Sequence, residues 1–398
     1  MARSVLHIGK FFPPHRGGME TFLADLMVAQ KRQGLAPAAL VHASGFSLRD
    51  HRGHCAVQGE QLPVTRAAVW LTLLFAPIAP LFWLSTLRAL RRQQPELLHL
   101  HMPNASVFWL LLLPQARKLP WVVHWHADVL ASTHSRGLRL LYPLYRPLEQ
   151  AVLRRSAAII ATSPPYLHSS VPLQAHRDRC EVIPLGLDTT RLGTGPTDPG
   201  PAAVTATGAE DPALPLSVLA IGRLTYYKGF RVLIDAAAAV PGMRVSIVGA
   251  GDQATALQQR IDTLQLNDRV TLCGPMSDRQ LAAALRGCDL LCQPSLERTE
   301  AFGVVLLEAM ALGKPVLASD VSGSGMPWLV RFSAAGTLVP PGDVAALAAE
   351  LLRLGGDRAK LKTLGEAGRS CFEAHFRIDI AARAVADLYG RLLTSAPS

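Results

Sequence analysis

Residues 288–319 read CDLLCQPSLERTEAFGVVLLEAMALGKPVLAS and contain the pattern that decides the fold. Short apolar runs at 288–295 and 315–319 have the length of buried strands, and the apolar segment between them has the length of a helix. A strand, a helix and a further strand in this order predict a parallel pair, because parallel strands need a long crossover connection. The stretch therefore predicts an α/β protein with a parallel sheet.

The same alternation of short apolar runs and helical segments extends over most of the chain. Further strands are predicted at 4–9, 36–43, 97–103, 121–127, 157–163, 216–222, 244–251 and 269–274. Amphipathic helices are predicted from Met19 to Gln33 and at 378–395. The fold expected is α/β with doubly wound parallel sheets, in which ligands bind at the carboxyl ends of the strands.

The alternation stops in the middle of the chain, where residues 189–213 read TTRLGTGPTDPGPAAVTATGAEDPA. This composition predicts a linker. A chain of 398 residues is too long for one core of ordinary size, so two domains are expected. The predicted organisation is a first domain at 1–190, a linker at 191–213, a second domain at 214–377 and a C-terminal helix at 378–398.

The excess positive charge is confined to the first half. Residues 1–190 hold 20 basic and 10 acidic side chains, whereas residues 191–398 hold 20 of each. This favours an anionic surface or acceptor at the first domain, with an arginine-rich genome as the alternative explanation. Six cysteines without a CxxC pair and a start without a signal pattern predict a cytoplasmic protein. Peripheral attachment at the inner face of the plasma membrane is the alternative location, and no nucleic-acid partner is expected.

An uncharged apolar segment at 67–87, AAVWLTLLFAPIAPLFWLSTL, has the length of a membrane span. Pro77 and Pro80 lie in its middle and would break a spanning helix into two short amphipathic pieces. We therefore expect a helix packed in the domain or a helix in the membrane interface, rather than a span. Whether the segment contacts a membrane stays open at this point.

Two glutamates flank the start of the helix predicted after residue 303. Their spacing of eight residues would put them on different faces of one helix, so Glu300 is expected on the preceding loop and Glu308 about a turn inside. Both carboxylates then reach a ligand over the helix N-terminus, where they can accept hydrogen bonds from vicinal sugar hydroxyls. A capping glutamate and a surface glutamate are the alternative, which the apolar flanking residues disfavour.

Glycines and cations follow the first strand of each predicted domain. Gly17 and Gly18 precede the first helix, where backbone N–H groups can approach a phosphate. Arg223 and Lys228 leave one strand end five residues apart and suit a diphosphate. Taken alone, a turn and solvated surface charge explain these residues equally well.

Metal binding is the weaker interpretation of the histidines. His99 and His101, and again His124 and His126, alternate along predicted strands, so that each pair shares a face. The local sequence suggests no third ligand. The chain also lacks an Asp-x-Asp pair to hold a divalent ion on a diphosphate. No metal ligand is therefore assigned, and no cofactor is expected.

The motifs together resemble the retaining glycosyltransferases of the large family 4. The matching segments are FFPPHRGGMET, HLHMPN, WHADV, IPLGLD, IGRLTYYKG, IVGAGD, PSLERTEAFGVVLLEAMALGKPVLAS and PPGD, in the order of the family. The resemblance implies the GT-B fold of two facing Rossmann-like domains, an acceptor-binding first and a nucleotide-sugar-binding second. It leaves the C-terminal helix the option of returning to the first domain. The segment VSGSGMPW at 321–328 departs from the Gly-Gly turn and Pro-Glu of many members.

Residue roles are carried over where the motifs match. The resemblance implies that Glu300 binds donor hydroxyls, that Glu308 holds the ribose, and that Arg223 and Lys228 neutralise the departing diphosphate. His126 would lie beside the sugar. The implied catalytic residues are Glu300, Arg223, Lys228 and His126. The implied donor-binding residues are Gly17, Gly18, Arg223, Lys228, Glu300, Phe302, Gly303, Val304 and Glu308.

The expected reaction is transfer of a hexose from a nucleotide diphosphate sugar, with retention and without a metal. The motifs look most similar to those of bacterial mannosyl- and rhamnosyltransferases of polysaccharide biosynthesis. This resemblance suggests mannose from GDP-mannose as the first choice, with UDP-glucose or UDP-N-acetylglucosamine as the alternative donor. The expected acceptor is a saccharide or a saccharide on a lipid diphosphate, in bacterial polysaccharide assembly. A nucleotide-sugar epimerase of the same fold and a non-catalytic scaffold are the alternatives from other classes.

Overall fold

The computed structural model describes residues 3–15, 17–73, 76–129, 136–193 and 215–394. The chain forms two compact units. Unit 1 consists of Met1–Asp188 together with Ile378–Ser398, and unit 2 consists of Thr189–Arg377. The C-terminal helix belongs to unit 1, which is the option that the family resemblance left open. Residues 194–213 of the predicted linker lie outside the described residues.

Unit 1 contains an eight-stranded sheet in the order β10-β9-β8-β7-β1-β2-β4-β3. Neighbouring strands of this sheet are parallel except β3, which runs antiparallel to β4 at the edge. Its strands and those of a separate two-stranded hairpin are β1 Ser4–Ile8, β2 Ala36–His42, β3 His51–Val57, β4 Glu60–Ala67, β5 Leu71–Leu73, β6 Ala76–Ile78, β7 Leu97–Met102, β8 Trp121–Trp125, β9 Ala158–Ala161 and β10 Cys180–Val182. Its helices are α1 Gly18–Arg32, α2 Phe82–Gln93, α3 Pro114–Arg117, α4 Arg136–Arg155, α5 Pro164–Ser169 and, from the C-terminus, α13 Ile378–Thr394.

Helices cover both faces of this sheet. On one face, Leu23 and Met27 of α1 pack against Ala39 and Val41 of β2. On the opposite face, Phe82 of α2 stacks on His42, the next residue of β2, because successive side chains of a strand alternate. Helix α13 packs beside α1. The central strands are therefore shielded from water on both sides, which explains their continuous apolar runs.

Unit 2 contains a six-stranded parallel sheet in the order β13-β12-β11-β14-β15-β16. Its strands are β11 Leu216–Ile221, β12 Met243–Val248, β13 Val270–Gly274, β14 Leu290–Gln293, β15 Val316–Ser319 and β16 Gly336–Val339. Its helices are α6 Phe230–Ala239, α7 Ala254–Thr263, α8 Asp278–Gly287, α9 Val304–Ala311, α10 Gly325–Ser333, α11 Val344–Gly355 and α12 Arg358–His375. Val218, Leu233, Ile247, Leu290 and Leu351 share one buried core. The strand order changes direction at β11, so the carboxyl ends of β11 and β14 form the crevice in which such sheets bind ligands.

The apolar segment at 67–87 is helical only from Phe82, in α2, so the expectation of a helix is wrong for the described residues before Phe82. It ends β4, forms the hairpin of β5 and β6 and enters α2 only at Phe82. Pro77 lies in the hairpin, where it removes no helical hydrogen bond. Trp70 and Leu71 remain exposed. Within the described ranges, no helix is both long and apolar enough to cross a membrane.

Candidate active site

Two side chains predicted from separate motifs meet at the crevice of unit 2. Lys228 ends a short 3-10 helix at Tyr226–Lys228, after β11, and Glu300 lies on the loop between β14 and α9. The Lys228 ammonium nitrogen is 2.5 Å from Glu300 Oε2, and both side chains are largely buried. Strands β11 and β14 pair directly, so their carboxyl-end loops are neighbours although about seventy residues separate them in the chain. The sheet therefore brings a cation and a carboxylate into one site.

The two loops that carry this pair are joined through their backbones. The amide of Leu296 donates to the carbonyl of Tyr227 at 2.8 Å. Gly229 has a φ of 69°, and a Cβ placed there would lie 1.9 Å from the carbonyl oxygen of Pro294. Only glycine permits this close approach in the left-handed conformation. The position of Lys228 is therefore fixed against the loop that carries Glu300.

Arg223 leaves the same strand end but does not join the Lys228–Glu300 pair directly. Its guanidinium donates to the Tyr227 hydroxyl at 3.4 Å, and the side chain is exposed. The Lys228 side chain instead lies over Gly222, where a Cβ would be 2.9 Å from Lys228 Cε. One cation is thus packed into the crevice while the other lies at its edge.

Glu308 lies one turn inside α9, and Glu300 precedes the helix, as the spacing predicts. The structure adds a partner for Glu308 that the sequence patterns did not indicate. Arg191 Nη2 donates to Glu308 Oε1 at 2.8 Å, and both side chains are mostly buried. Because an ionised carboxylate has about four acceptor positions, this bond leaves capacity for ligand hydroxyls. Arg191 lies at the start of the stretch interpreted as a linker, and no local signal distinguishes it.

The helix start between the two glutamates is held by the segment that departs from the family pattern. Gly303 caps α9 with a φ of 81°, directly before Val304, and Phe302 beside it is buried. The Ser324 hydroxyl donates to the carbonyl oxygen of Glu300 at 2.5 Å, and the Gly325 amide donates to that of Ala301. The segment 321–328, which departs from the family pattern, therefore supplies the hydrogen bonds that fix the loop carrying Glu300.

In unit 1, Gly17 and Gly18 lie at the N-terminus of α1, where the sequence predicted them. The backbone of Gly17 is extended, so its conformation does not require glycine. A Cβ at Gly17 would lie 2.2 Å from Glu20 Oε2, so a larger residue there would require the end of the Glu20 side chain to move. The buried Glu20 carboxylate thus contacts the helix N-terminus, which the helix dipole favours. The contact of these glycines with a phosphate stays a prediction.

His126 follows β8 and belongs to a buried row of histidines in unit 1. The row continues along strands β1, β7 and β8 and consists of His7, His99, His101, His124 and His126. Burial lowers the pKa of His126 to about 3 and that of His7 to about 4, so both imidazoles are neutral at pH 7. The role of His126 beside the sugar stays a prediction. The sequence indicated pairs of histidines, but only the sheet brings His7 to them.

The fold and this arrangement define a class of protein. Residues 16–191 match the family described as Glycosyltransferase Family 4, and residues 212–370 match Glycosyl transferases group 1. The two matches together cover most of the chain, so this chain belongs to these glycosyltransferases. The fold is GT-B, as shown by its likeness to sucrose-phosphate synthase from Thermosynechococcus elongatus. The TM-score is 0.79 at 23% identity, with 99% of this chain and 100% of that chain covered.

Two relatives are named for the sugar that they transfer. The chain is 27% identical over 396 residues to O-antigen chain mannosyltransferase C of Escherichia coli, with 98% of this chain and 99% of that protein covered. It is 33% identical over 227 residues to D-rhamnosyltransferase WbpZ of Pseudomonas aeruginosa, with 57% of this chain and 56% of that protein covered. Their names describe a mannosyltransferase and a rhamnosyltransferase.

Proposed function

We propose that this glycosyltransferase transfers mannose from GDP-mannose, with retention, to a saccharide or a lipid-diphosphate-linked saccharide in bacterial polysaccharide assembly. The observation that carries the proposal is the pairing of Lys228 with Glu300 and of Arg191 with Glu308 around the start of α9. These groups can serve a diphosphate, a sugar and a ribose within one crevice. The choice of mannose is supported by the relative whose whole length the chain matches.

In this proposal the Lys228–Glu300 contact belongs to the state without donor. When the donor binds, the ammonium group turns to the diphosphate and Glu300 accepts hydrogen bonds from sugar hydroxyls. Until then each group compensates the charge of the other and holds it in place, since a buried unpaired charge is costly. Glu308 accepts hydrogen bonds from the ribose and is oriented by Arg191.

The proposed reaction needs no carboxylate nucleophile. The bond from C1 of the sugar to the diphosphate oxygen breaks, and a bond from C1 to the acceptor oxygen forms on the same face. The proton of the acceptor hydroxyl passes to the leaving phosphate oxygen. Lys228 and Arg223 stabilise the negative charge that develops there, and the N-terminal end of α9 adds its dipole. These groups take the place of a divalent ion on the diphosphate.

Thermal stabilisation by nucleotides tests the donor site. After dialysis against EDTA, GDP is expected to raise the Tm more than UDP, and added Mg²⁺ is expected to leave the shift unchanged. A ligand at a hundredfold excess over its Kd adds about 2.7 kcal/mol to the free energy of unfolding. The Glu308→Gln variant, which keeps a hydrogen-bond acceptor for Arg191, is expected to lose most of the shift.

The other outcomes each have a meaning. A preference for UDP would move the donor to UDP-glucose or UDP-N-acetylglucosamine, and no response to either nucleotide would contradict the donor site. Incubation with GDP-mannose and a saccharide acceptor, followed by NMR of the product, then reports the anomeric configuration. An inverted product would refute retention, and release of free sugar and nucleotide without an acceptor would favour an epimerase.

We also propose that unit 1 contacts an anionic membrane that carries the acceptor. Helix α4 exposes Leu140, Leu144 and Leu148 at a spacing of four residues, with the first two 80% and 75% exposed. Arg139 and Arg146 are exposed on the same helix. An apolar stripe with adjacent arginines suits the interface of a membrane with anionic lipids.

Sedimentation with vesicles tests this contact. We expect binding to vesicles that contain phosphatidylglycerol, weaker binding at high salt because exposed charges are screened, and little binding to phosphatidylcholine alone. Replacing both Leu140 and Leu144 by aspartate is expected to abolish binding. Leu352→Asp, at an apolar residue of α11 that is 60% exposed, is the matched control and should bind normally. Equal binding of the wild type, the double variant and the control would contradict the proposal.

A further inference from the structure

Three buried histidines of unit 1 lie on one face of two neighbouring strands. His7 of β1 is directly opposite His99 of β7 in the parallel register, and His101 follows two residues later on the same face. All three are at most 2% exposed. One ring nitrogen from each can be chosen so that the three lie within 4.8 Å of one another.

Each of the three rings has one nitrogen held by a neighbouring side chain. His7 Nε2 is 2.8 Å from Gln30 Oε1, and His101 Nδ1 is 3.0 Å from His126 Nε2. His99 Nδ1 contacts the hydroxyl of Tyr389, which also accepts from the Gln30 amide. Histidines that bind metals in proteins have this arrangement, in which the second nitrogen is fixed by a partner outside the ligand set.

Of the remaining ring nitrogens, two form a hydrogen bond with each other, and the third has no partner in the described part of the chain. His7 Nδ1 and His101 Nε2 face each other at 3.2 Å. His99 Nε2 has no hydrogen-bond partner among the residues that the structure describes, although it is fully buried. Because Gln30 Oε1 accepts the proton of His7 Nε2, neutral His7 turns a lone pair toward His101. When the proton of His101 is on Nδ1, toward His126 Nε2, a cation can accept the lone pairs of His7 Nδ1, His101 Nε2 and His99 Nε2 together.

We propose that His7, His99 and His101 bind one divalent transition-metal ion, with Zn²⁺ as the first choice. Neutral imidazole is a favoured ligand of Zn²⁺, Co²⁺, Ni²⁺ and Cu²⁺, and three histidines are the protein ligands of open zinc sites. Zn–N bonds of 2.0–2.1 Å in a tetrahedron place the nitrogens about 3.3 Å apart. The distance of 3.2 Å between His7 Nδ1 and His101 Nε2 is close to this value, whereas the His99 ring, which lies nearly parallel to that of His101, has to turn to bring Nε2 to the ion.

A bound ion would stabilise the structure of unit 1, and this effect is independent of the proposed transfer reaction. The ligands come from β1 and β7, and their partners Gln30 and Tyr389 come from α1 and α13. A bound ion therefore secures the C-terminal helix to the central strands.

Cobalt titration tests the site without reference to activity. The full chain is dialysed against EDTA and then against buffer, and Co²⁺ is added while visible absorption is recorded. One Co²⁺ per chain with the d–d bands of tetrahedral or five-coordinate nitrogen ligation is expected, displaced by one equivalent of Zn²⁺. Zn²⁺ is also expected to raise the Tm in the absence of nucleotide. Wild-type protein that binds no Co²⁺, or binds it without these bands, would overturn the proposal.

Two variants separate this site from its neighbours. His99→Gln is expected to weaken Co²⁺ binding at least about tenfold, since loss of even an outer partner costs about 10–100-fold. His124→Leu, at a buried histidine of β8 on the same face, should bind as wild type. Loss in His124→Leu with retention in His99→Gln would refute the assignment and favour His101, His124 and His126. If His99→Gln does not fold by circular dichroism, His7→Gln, which removes a ligand of the first trio only, makes the same distinction.

Discussion

Lys228→Ala is expected to transfer sugar roughly 10²- to 10³-fold more slowly than the wild type, because removing one preorganised charge at a developing oxyanion has effects of this size. The loss should appear in kcat at saturating donor, since the charge on the leaving diphosphate grows in the transition state. Arg231→Ala removes a surface cation three residues away, which pairs only at the surface with Asp235, and should keep normal turnover. Steady-state kinetics with a nucleotide sugar and an acceptor measure both.

A purely structural role of the buried Lys228–Glu300 pair is the alternative explanation for the loss of turnover, and it can be tested. Lys228→Ala alone leaves the Glu300 carboxylate buried without its partner, which destabilises the fold. The double variant Lys228→Ala/Glu300→Gln removes both charges, so its Tm should return toward that of the wild type. We expect its turnover to stay low. Recovery of activity together with stability would show that the pair only holds the loops.

Acidification below pH 6.5 is expected to unfold this protein before pH 4 is reached. Burial lowers the pKa of His7 and of His42 from 6.5 to about 4, and that of His126 to about 3. The pKa values of His99, His101 and His124 are also well below 6.5, through burial and the neighbouring histidines. The unfolded chain takes up these protons at a higher pH than the folded chain does. Each such histidine therefore lowers the free energy of unfolding by about 1.4 kcal/mol per pH unit below 6.5. Native proteins are stable by only about 5–15 kcal/mol.

One carboxyl group works in the opposite direction. Burial raises the pKa of Glu149 to about 7, so the folded state binds a proton between pH 4.5 and 7 that the unfolded state lacks. Acidification through this window therefore stabilises the fold through the protonation of Glu149. This effect of one group opposes the destabilising effect of the several buried histidines. The net slope of the free energy of unfolding against pH should remain positive between pH 5 and 6.5.

Urea unfolding at a series of pH values measures that slope, which gives the difference in bound protons. His124→Leu should lower the slope by about one proton, because both ring nitrogens of His124 are buried without partners in the described part of the chain. His54→Ala, at an exposed edge-strand histidine, should leave it unchanged. Equal stability of the wild type at pH 7 and pH 5 would contradict the assignment of neutral buried histidines.

The central strands were predictable because both faces of each are covered. Strand β1 at Ser4–Ile8 and strand β14 at Leu290–Gln293 read as continuous apolar runs for that reason. The edge strand β3, His51–Val57, was missed because it is exposed and mostly polar, and no apolar period marks it. The hairpin inside 67–87 was missed because an uncharged apolar run does not distinguish a helix from two short strands.

The chemistry of the candidate site divides in the same way. The sequence by itself determined the α/β class and the placement of Glu300 before α9 and Glu308 within it, because strand length and helical spacing are local properties. Only the tertiary structure decided that Lys228 meets Glu300, that Arg191 meets Glu308 and that His7 joins the other histidines. These contacts depend on the order of strands in a sheet. That order depends on which apolar faces pack together, and the spacing of residues along the chain does not predict it.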